Sequence, residues 1–218
     1  MRKALIVILS AALIFAVCGC KKDSFTDEKI SQLRTDIYAF ESDSFNLFCY
    51  CEKRENPFKE DGNVGERQTF AIFKIVPTGE DLSEKEILVK YAAEKFTVCG
   101  KFEYKPLSDA RYAYLAVPVL PDENFTAELT IDGKSVTAEM KSLKRSDLKD
   151  YKIAIDAVKA ADEKNLKKFF GDREYGEIRI RLLESGGDNY WYVGFISENE
   201  KREYLLDGVT AEIIDIRA

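Results

Sequence analysis

The stretch AELTIDGKSVTAEM, residues 127–140, decides how most of this chain is read. Asp132-Gly133 separates two β-like runs, Ala127–Ile131 and Lys134–Met140. An Asp-Gly pair between such runs is a strong signal for a two-residue hairpin. Upstream of it, strands are expected at 86–92, 95–104, 110–117 and 124–131. Gln68–Val76 is a strongly apolar run closed by the turn residues Pro77-Thr78-Gly79. Lys53–Glu66 is a polar loop containing Pro57 and Asp61-Gly62. Before it, Phe45, Leu47, Cys49 and Cys51 alternate onto one face, after the turn signal Glu41-Ser42-Asp43-Ser44. Leu33, Thr35, Ile37 and Ala39 alternate with Arg34, Asp36, Tyr38 and Phe40.

Short strands at this spacing predict a β-rich N-terminal sandwich of about eight strands over residues 31–140. The architecture looks immunoglobulin-like, without the Cys–Trp–Cys signature of that family. Lys141–Lys149 is charged and poorly periodic and reads as a linker. Helical spacing begins after it. Leu148, Tyr151, Ile155, Val158 and Ala161 fall three and four apart, with Ser146 as N-cap. A second short helix is expected over Glu163–Phe170, capped by Asp162 and ended by Gly171, with Leu166, Phe169 and Phe170 buried. Strands return at Ile178–Leu183, Tyr190–Ile196, Tyr204–Leu206 and Val209–Ile216, with turns at Ser185-Gly186-Gly187-Asp188 and Asp207-Gly208. Residues 150–218 therefore read as a small α+β domain, one or two helices on an antiparallel sheet of three or four strands.

Tyr192-Val193-Gly194-Phe195, Tyr204-Leu205-Leu206-Asp207 and Thr210-Ala211-Glu212-Ile213 together resemble the PepSY-type module of secreted bacterial proteins. The family carries Asp-x-x-Thr-Gly-Glu/Lys-Ile/Val at its last hairpin, and Ala211 stands here where the glycine is usual. The resemblance implies regulation of peptidases or contacts within the cell envelope, and it carries over no catalytic residue.

The amino terminus supplies an address. Arg2 and Lys3 precede an apolar run from Ala4 to Val17 interrupted by Ser10. That run is too short to span a hydrocarbon core about 30 Å thick comfortably, and reads as a removable leader, residues 1–19. Val17-Cys18-Gly19-Cys20 resembles the lipobox of bacterial lipoproteins, with Cys18 where Ala, Ser or Thr is usual. The resemblance implies cleavage after Gly19, a diacylglyceryl thioether on Cys20, and acylation of the new amino terminus. Two acyl chains suffice for stable anchoring, at about 0.8 kcal/mol per buried CH₂. Residues 20–30 then form a hydrophilic tether whose Lys21 and Lys22 suit anionic headgroups. The address is extracytoplasmic, lipid-anchored to a cell membrane, or to an outer membrane where the source has one.

Without Arg2 and Lys3, 31 basic residues face 39 acidic ones, a net charge of −8, which argues against nucleic acid as a partner. The sequence has no histidine, which excludes Ser-His-Asp and Cys-His catalysis and histidine-ligated metals. Once Cys20 is lipidated, Cys49, Cys51 and Cys99 remain, an odd count that is no disulfide framework. Two alternatives stay open: one of the first two pairs with Cys99, or all three are free thiols. Neither metal nor cofactor is expected. Glu60, Asp61, Asn63 and Glu66 crowd one glycine-containing loop but lack EF-hand spacing. Asp36 with Glu41, and Glu123 with Glu128, are carboxylate pairs that an acidic composition produces by chance. Ser83-Glu84-Lys85 and Ser142-Leu143-Lys144 lack the Ser-x-x-Lys spacing. Tyr190, Trp191 and Tyr192 form a candidate binding surface, and alternation puts Trp191 on one face and both tyrosines on the other. Tyr112 and Tyr114 share another face. These features favour a non-enzymatic tethered module that binds an envelope protein, peptide or glycan. An acid-based envelope hydrolase and a purely structural lipoprotein are the competing classes.

Overall fold

The computed structural model describes residues 27–79, 81–93, 95–108, 110–170, 176–197 and 200–217, so that the leader and Cys20 lie outside the described residues. Among the described residues the fold is mostly antiparallel β-sheet with one α-helical run. Its strands are β1 (Ile30–Glu41), β2 (Phe45–Glu55), β3 (Arg67–Pro77), β4 (Ile87–Ala93), β5 (Phe96–Lys101), β6 (Glu103–Lys105), β7 (Ala110–Ala116), β8 (Phe125–Ile131) and β9 (Lys134–Ser142). Helix α1 (Tyr151–Phe170) follows, then β10 (Glu177–Ser185), β11 (Asp188–Ile196), β12 (Lys201–Asp207) and β13 (Ile213–Arg217).

The Asp132-Gly133 hairpin is present. Asp132 and Gly133 both take positive φ, 47° and 79°, and join β8 to β9 in register from Ile131↔Lys134 to Phe125↔Met140. On β2 the predicted face is buried without exception: Phe45, Leu47, Cys49 and Cys51 point into the N-terminal core.

In the N-terminal part, β1-β2-β3-β7-β6 and β5-β4-β8-β9 form two runs of strands that join at both ends. Phe102 alone separates β5, which pairs with β4, from β6, which pairs with β7. At the other side β9 meets β1 at Tyr38↔Ser142 and Ala39↔Lys141. The circuit is barrel-like where two separate sheets were expected. Closure leaves fewer free backbone edges than a sandwich would. Gly100 permits the approach of β5 to β7: a Cβ there would lie 2.7 Å from Leu115 Cδ1.

The other half is built on the same first strand. Over its amino-terminal part, β1 pairs in parallel with β10, through Ile30↔Ile178, Gln32↔Arg179, Leu33↔Ile180 and Arg34↔Arg181. A bulge between Arg34 and Asp36 then shifts the strand's register against β2. That bulge breaks the simple alternation expected over 33–40, and Ile37, Tyr38 and Ala39 are buried in succession. Strands β11, β12 and β13 continue outward from β10 as antiparallel neighbours.

Helix α1 covers one face of this sheet with Ala154, Ile155, Val158 and Leu166, against Ile178, Ile180, Leu182, Trp191, Val193 and Leu206. Each large side chain so buried contributes about 1.5–3 kcal/mol. The helix starts later than expected. Asp150, not Ser146, caps it, its Oδ1 accepting the Lys152 N–H at 2.8 Å. Leu148 and Tyr151 still pack on the core, but Ala161 is exposed. The two expected helices are both present within Tyr151–Phe170 and meet at a kink where Asp162 leaves the helical region (φ −130°, ψ 28°). Among the described residues, no helix is long and apolar enough to cross a membrane.

Candidate functional site: the open face of the sheet

Strand alternation sends Ile178, Ile180 and Leu182 of β10 toward α1, and Glu177, Arg179, Arg181 and Leu183 to the opposite face. Cross-strand register extends that open face. Arg181 lies opposite Tyr192 on β11 and Arg34 on β1. Arg34 lies opposite Glu52, and Gln32 opposite Arg54, on β2. Glu52 lies opposite Phe70 on β3, and Tyr114 of β7 is two strands from Tyr50.

Glu52 is the hub, with no exposed surface. Its Oε2 accepts from Gln32 Nε2 at 2.9 Å, Arg34 Nε at 3.1 Å and Arg34 Nη2 at 2.9 Å. Its Oε1 lies 3.3 Å from Arg54 Nη1. Gln32 passes the network on, its Oε1 accepting from Arg181 Nε at 2.7 Å. Aromatic rings hold the guanidinium planes. Arg34 sits 4.6 Å from the Tyr50 centroid and Arg181 5.2 Å from that of Tyr192. Arg54 lies between Phe58, Phe70 and Tyr114 at 5.3, 5.0 and 5.2 Å. Such contacts contribute about 0.5–2 kcal/mol each, more as water is excluded.

The polar loop after β2 folds over one end of the face. Phe58 stacks on Arg179 at 4.2 Å, and Arg179 donates to Glu60 and to the Lys59 carbonyl. Arg179 also contacts the fully buried Glu177 at 2.5 Å. Burial raises the Glu177 pKa; Arg179 opposes the shift, and the Glu55 charge adds to it. On β11, Tyr192 donates its hydroxyl to Glu203. The ring reaches there by crossing Gly194, where a Cβ would lie 2.6 Å from the tyrosine oxygen. Burial and the bond to Glu203 both raise the Tyr192 pKa. Burial also opposes ionisation of Glu203, but hydrogen bonds from Lys201 and Tyr192 outweigh it and hold that carboxyl below its usual range. Beside Tyr192 lies a depression of about 270 Å³ lined by Leu183, Glu203, Leu205, Asp215 and Arg217.

Guanidinium forks match the geometry of planar oxyanions and stack on aromatic faces. An arginine side chain stays protonated at physiological pH, so these residues offer donors and positive charge.

Of the residues singled out from sequence, Trp191 belongs to the core. It is 2% exposed, and its Nε1–H donates to the Lys149 carbonyl at 2.9 Å. Tyr190 and Tyr192 are half-buried on the other face, as alternation requires. Tyr112 and Tyr114 stack on each other at 6.2 Å. Cys49 and Cys51 are buried with their sulfurs 4.0 Å apart, while Cys99 is exposed on β5. Cys49, Cys51 and Cys99 are unbridged in this structure. In the acidic loop, Glu60 serves Arg179, and Asp61 accepts the Asn63 N–H at 3.0 Å. No group of three or more metal-ligating side chains converges among the described residues. Asp36 is engaged by Lys144, and Glu128 by Lys90. Sequence reasoning missed Gln32, Arg34, Glu52, Arg54, Arg179 and Arg181. The available signal was the alternation of Glu177, Arg179 and Arg181 with Ile178, Ile180 and Leu182.

At the last hairpin, Asp207 Oδ1 accepts the N–H groups of Val209 and Thr210 at 2.9 and 2.7 Å, and the Thr210 hydroxyl at 3.1 Å. Ala211 takes φ 63°, a left-handed conformation. No family model matches this chain, and neither a curated protein nor a solved structure is significantly similar to it.

Proposed function

We propose that the protein is a lipoprotein of the bacterial cell envelope, tethered outside the cytoplasm through Cys20, and that it acts as a non-enzymatic recognition module. On this reading residues 1–19 are the leader and 20–30 the tether. The lipobox-like Val17-Cys18-Gly19-Cys20 supports the anchor. The observation that carries recognition is the open face: Arg34, Arg54, Arg179 and Arg181 gather on one side of the sheet in a chain of net charge −6. A body held near the membrane meets envelope ligands at raised effective concentration. The hairpin over Asp207–Ile213, with its PepSY-like pattern, fits a module whose business is contact. The sheet and helix around it are the rigid support such a face requires.

Fractionation tests this reading. Wild-type protein should sediment with membranes and carry acyl chains by mass spectrometry, whereas Cys20→Ser should be released. The released protein should still bind purified envelope material, and added salt should weaken that binding. Membrane association that survives Cys20→Ser, or a released protein that envelope material does not retain, overturns it.

A further inference from the structure

Arg34 and Arg181 are register partners on neighbouring parallel strands, with their side chains on the same open face. Each guanidinium is fixed at one edge. Arg34 gives Nε and Nη2 to Glu52, and Arg181 gives Nε to Gln32. Among the described residues no acceptor meets the remaining edges, Nη1 of Arg34 and both Nη groups of Arg181, and both side chains are partly exposed, Arg34 at 17%. We propose that these edges form a site for one oxyanion, a carboxylate or phosphate group borne by the envelope ligand. The proposal deepens the recognition reading above and rests on it.

Charge supports the assignment. Arg34 and Arg54 pair with the single carboxylate of Glu52, and Arg181 is linked to it only through the neutral Gln32. The next acids along the face are already taken: Glu203 by Tyr192 and Lys201, Glu177 by Arg179. Like charges repel across the Arg34–Arg181 pair, and burial together with Arg34 lowers the Arg181 pKa. A bound oxyanion relieves that repulsion and fills the open donors. Stacking on Tyr50 and Tyr192 fixes both planes beforehand, so little side-chain freedom is left to lose on binding.

Calorimetric titration of the full chain in nonionic detergent tests the site, with sodium pyrophosphate and trigalacturonate as probes and sodium chloride at equal ionic strength as the baseline. Saturable binding of at least one probe is expected. Preference for pyrophosphate identifies a phosphate source, and preference for trigalacturonate identifies a carboxylate on a sugar. Arg181→Gln should weaken binding about tenfold or more, the loss of a charged hydrogen bond. Arg181→Lys keeps the charge and stem but loses the fork, and should also weaken it while the unliganded melting temperature holds. Absence of binding above the chloride baseline overturns the site, as does wild-type affinity in both variants. Because the titration needs no membrane, its failure is separable from failure of the anchor: Cys20-dependent tethering without probe binding removes only this site.

Discussion

Replacing Glu52 by glutamine removes one negative charge and leaves the side-chain volume nearly unchanged. In the native protein this carboxylate receives Gln32 and both ends of the Arg34 fork, and sits 3.3 Å from Arg54. Glutamine offers one acceptor oxygen and brings an NH₂ group that meets guanidinium donors head on. Breaking one side of a buried ion pair costs about 3–5 kcal/mol. Arg34 and Arg54 are 17% and 21% exposed and regain some hydration, which lowers the expected loss to about 2–4 kcal/mol. For a chain of this size each kcal/mol shifts the melting temperature by about 2–4 °C, so Glu52→Gln should melt about 4–16 °C below wild type. Urea unfolding followed by circular dichroism should show a lower midpoint with an unchanged slope. A melting temperature within about 2 °C of wild type would refute the claim that this carboxylate organises the arginine face.

Other predictions follow from single positions. Ala211 occupies a left-handed conformation that costs an alanine more than a glycine, so Ala211→Gly should stabilise the protein by about 0.5–1 kcal/mol, read as a higher urea midpoint; a lower midpoint contradicts it. Burial raises the Asp162 pKa, but hydrogen bonds from Tyr204, Asn165 and Arg202 outweigh it and leave the carboxyl below its usual range. A depressed folded-state pKa contributes stability above the unfolded value, which is lost as pH falls toward the folded value. Asp162→Asn should therefore flatten the fall in melting temperature below about pH 4, and an unchanged slope there counts against the Asp162–Arg202–Tyr204 cluster. A maleimide reagent should label Cys99 in the folded protein and reach Cys49 and Cys51 only after denaturant is added; rapid labelling of the latter pair without denaturant contradicts their burial.

Local signals were legible and distant pairings were not. Asp132-Gly133 announces its own turn, and the spacing of Phe45, Leu47, Cys49 and Cys51 announces a buried face, because each depends on residues a few positions away. The division of Trp191 from its two tyrosine neighbours follows from the same two-residue period. Helix α1 was readable as a helix, but its start was not: Ser146 is the cap expected from sequence, whereas Asp150 is the residue whose carboxylate meets the Lys152 N–H. Nothing near Ile30 announces that it will lie beside Ile178. Barrel closure likewise depends on one strand running through Phe102 into a second pairing, a change of partner without a break in the β pattern. The arginine face was illegible for the same reason. Arg34, Glu52 and Arg181 come from three separated segments, and in an acidic, lysine-rich chain each reads alone as an ordinary solvated charge.

The position of β1 has a mechanical consequence. The segment before Asp27 leads into the middle of the sheet, where β1 is held by β10 on one flank and by β2 on the other. Tension applied to that segment runs along the strand, so the backbone bonds on both flanks resist it in shear and share the load instead of opening one after another like a zipper. A pull from the amino-terminal side thus meets the fold where it is hardest to peel.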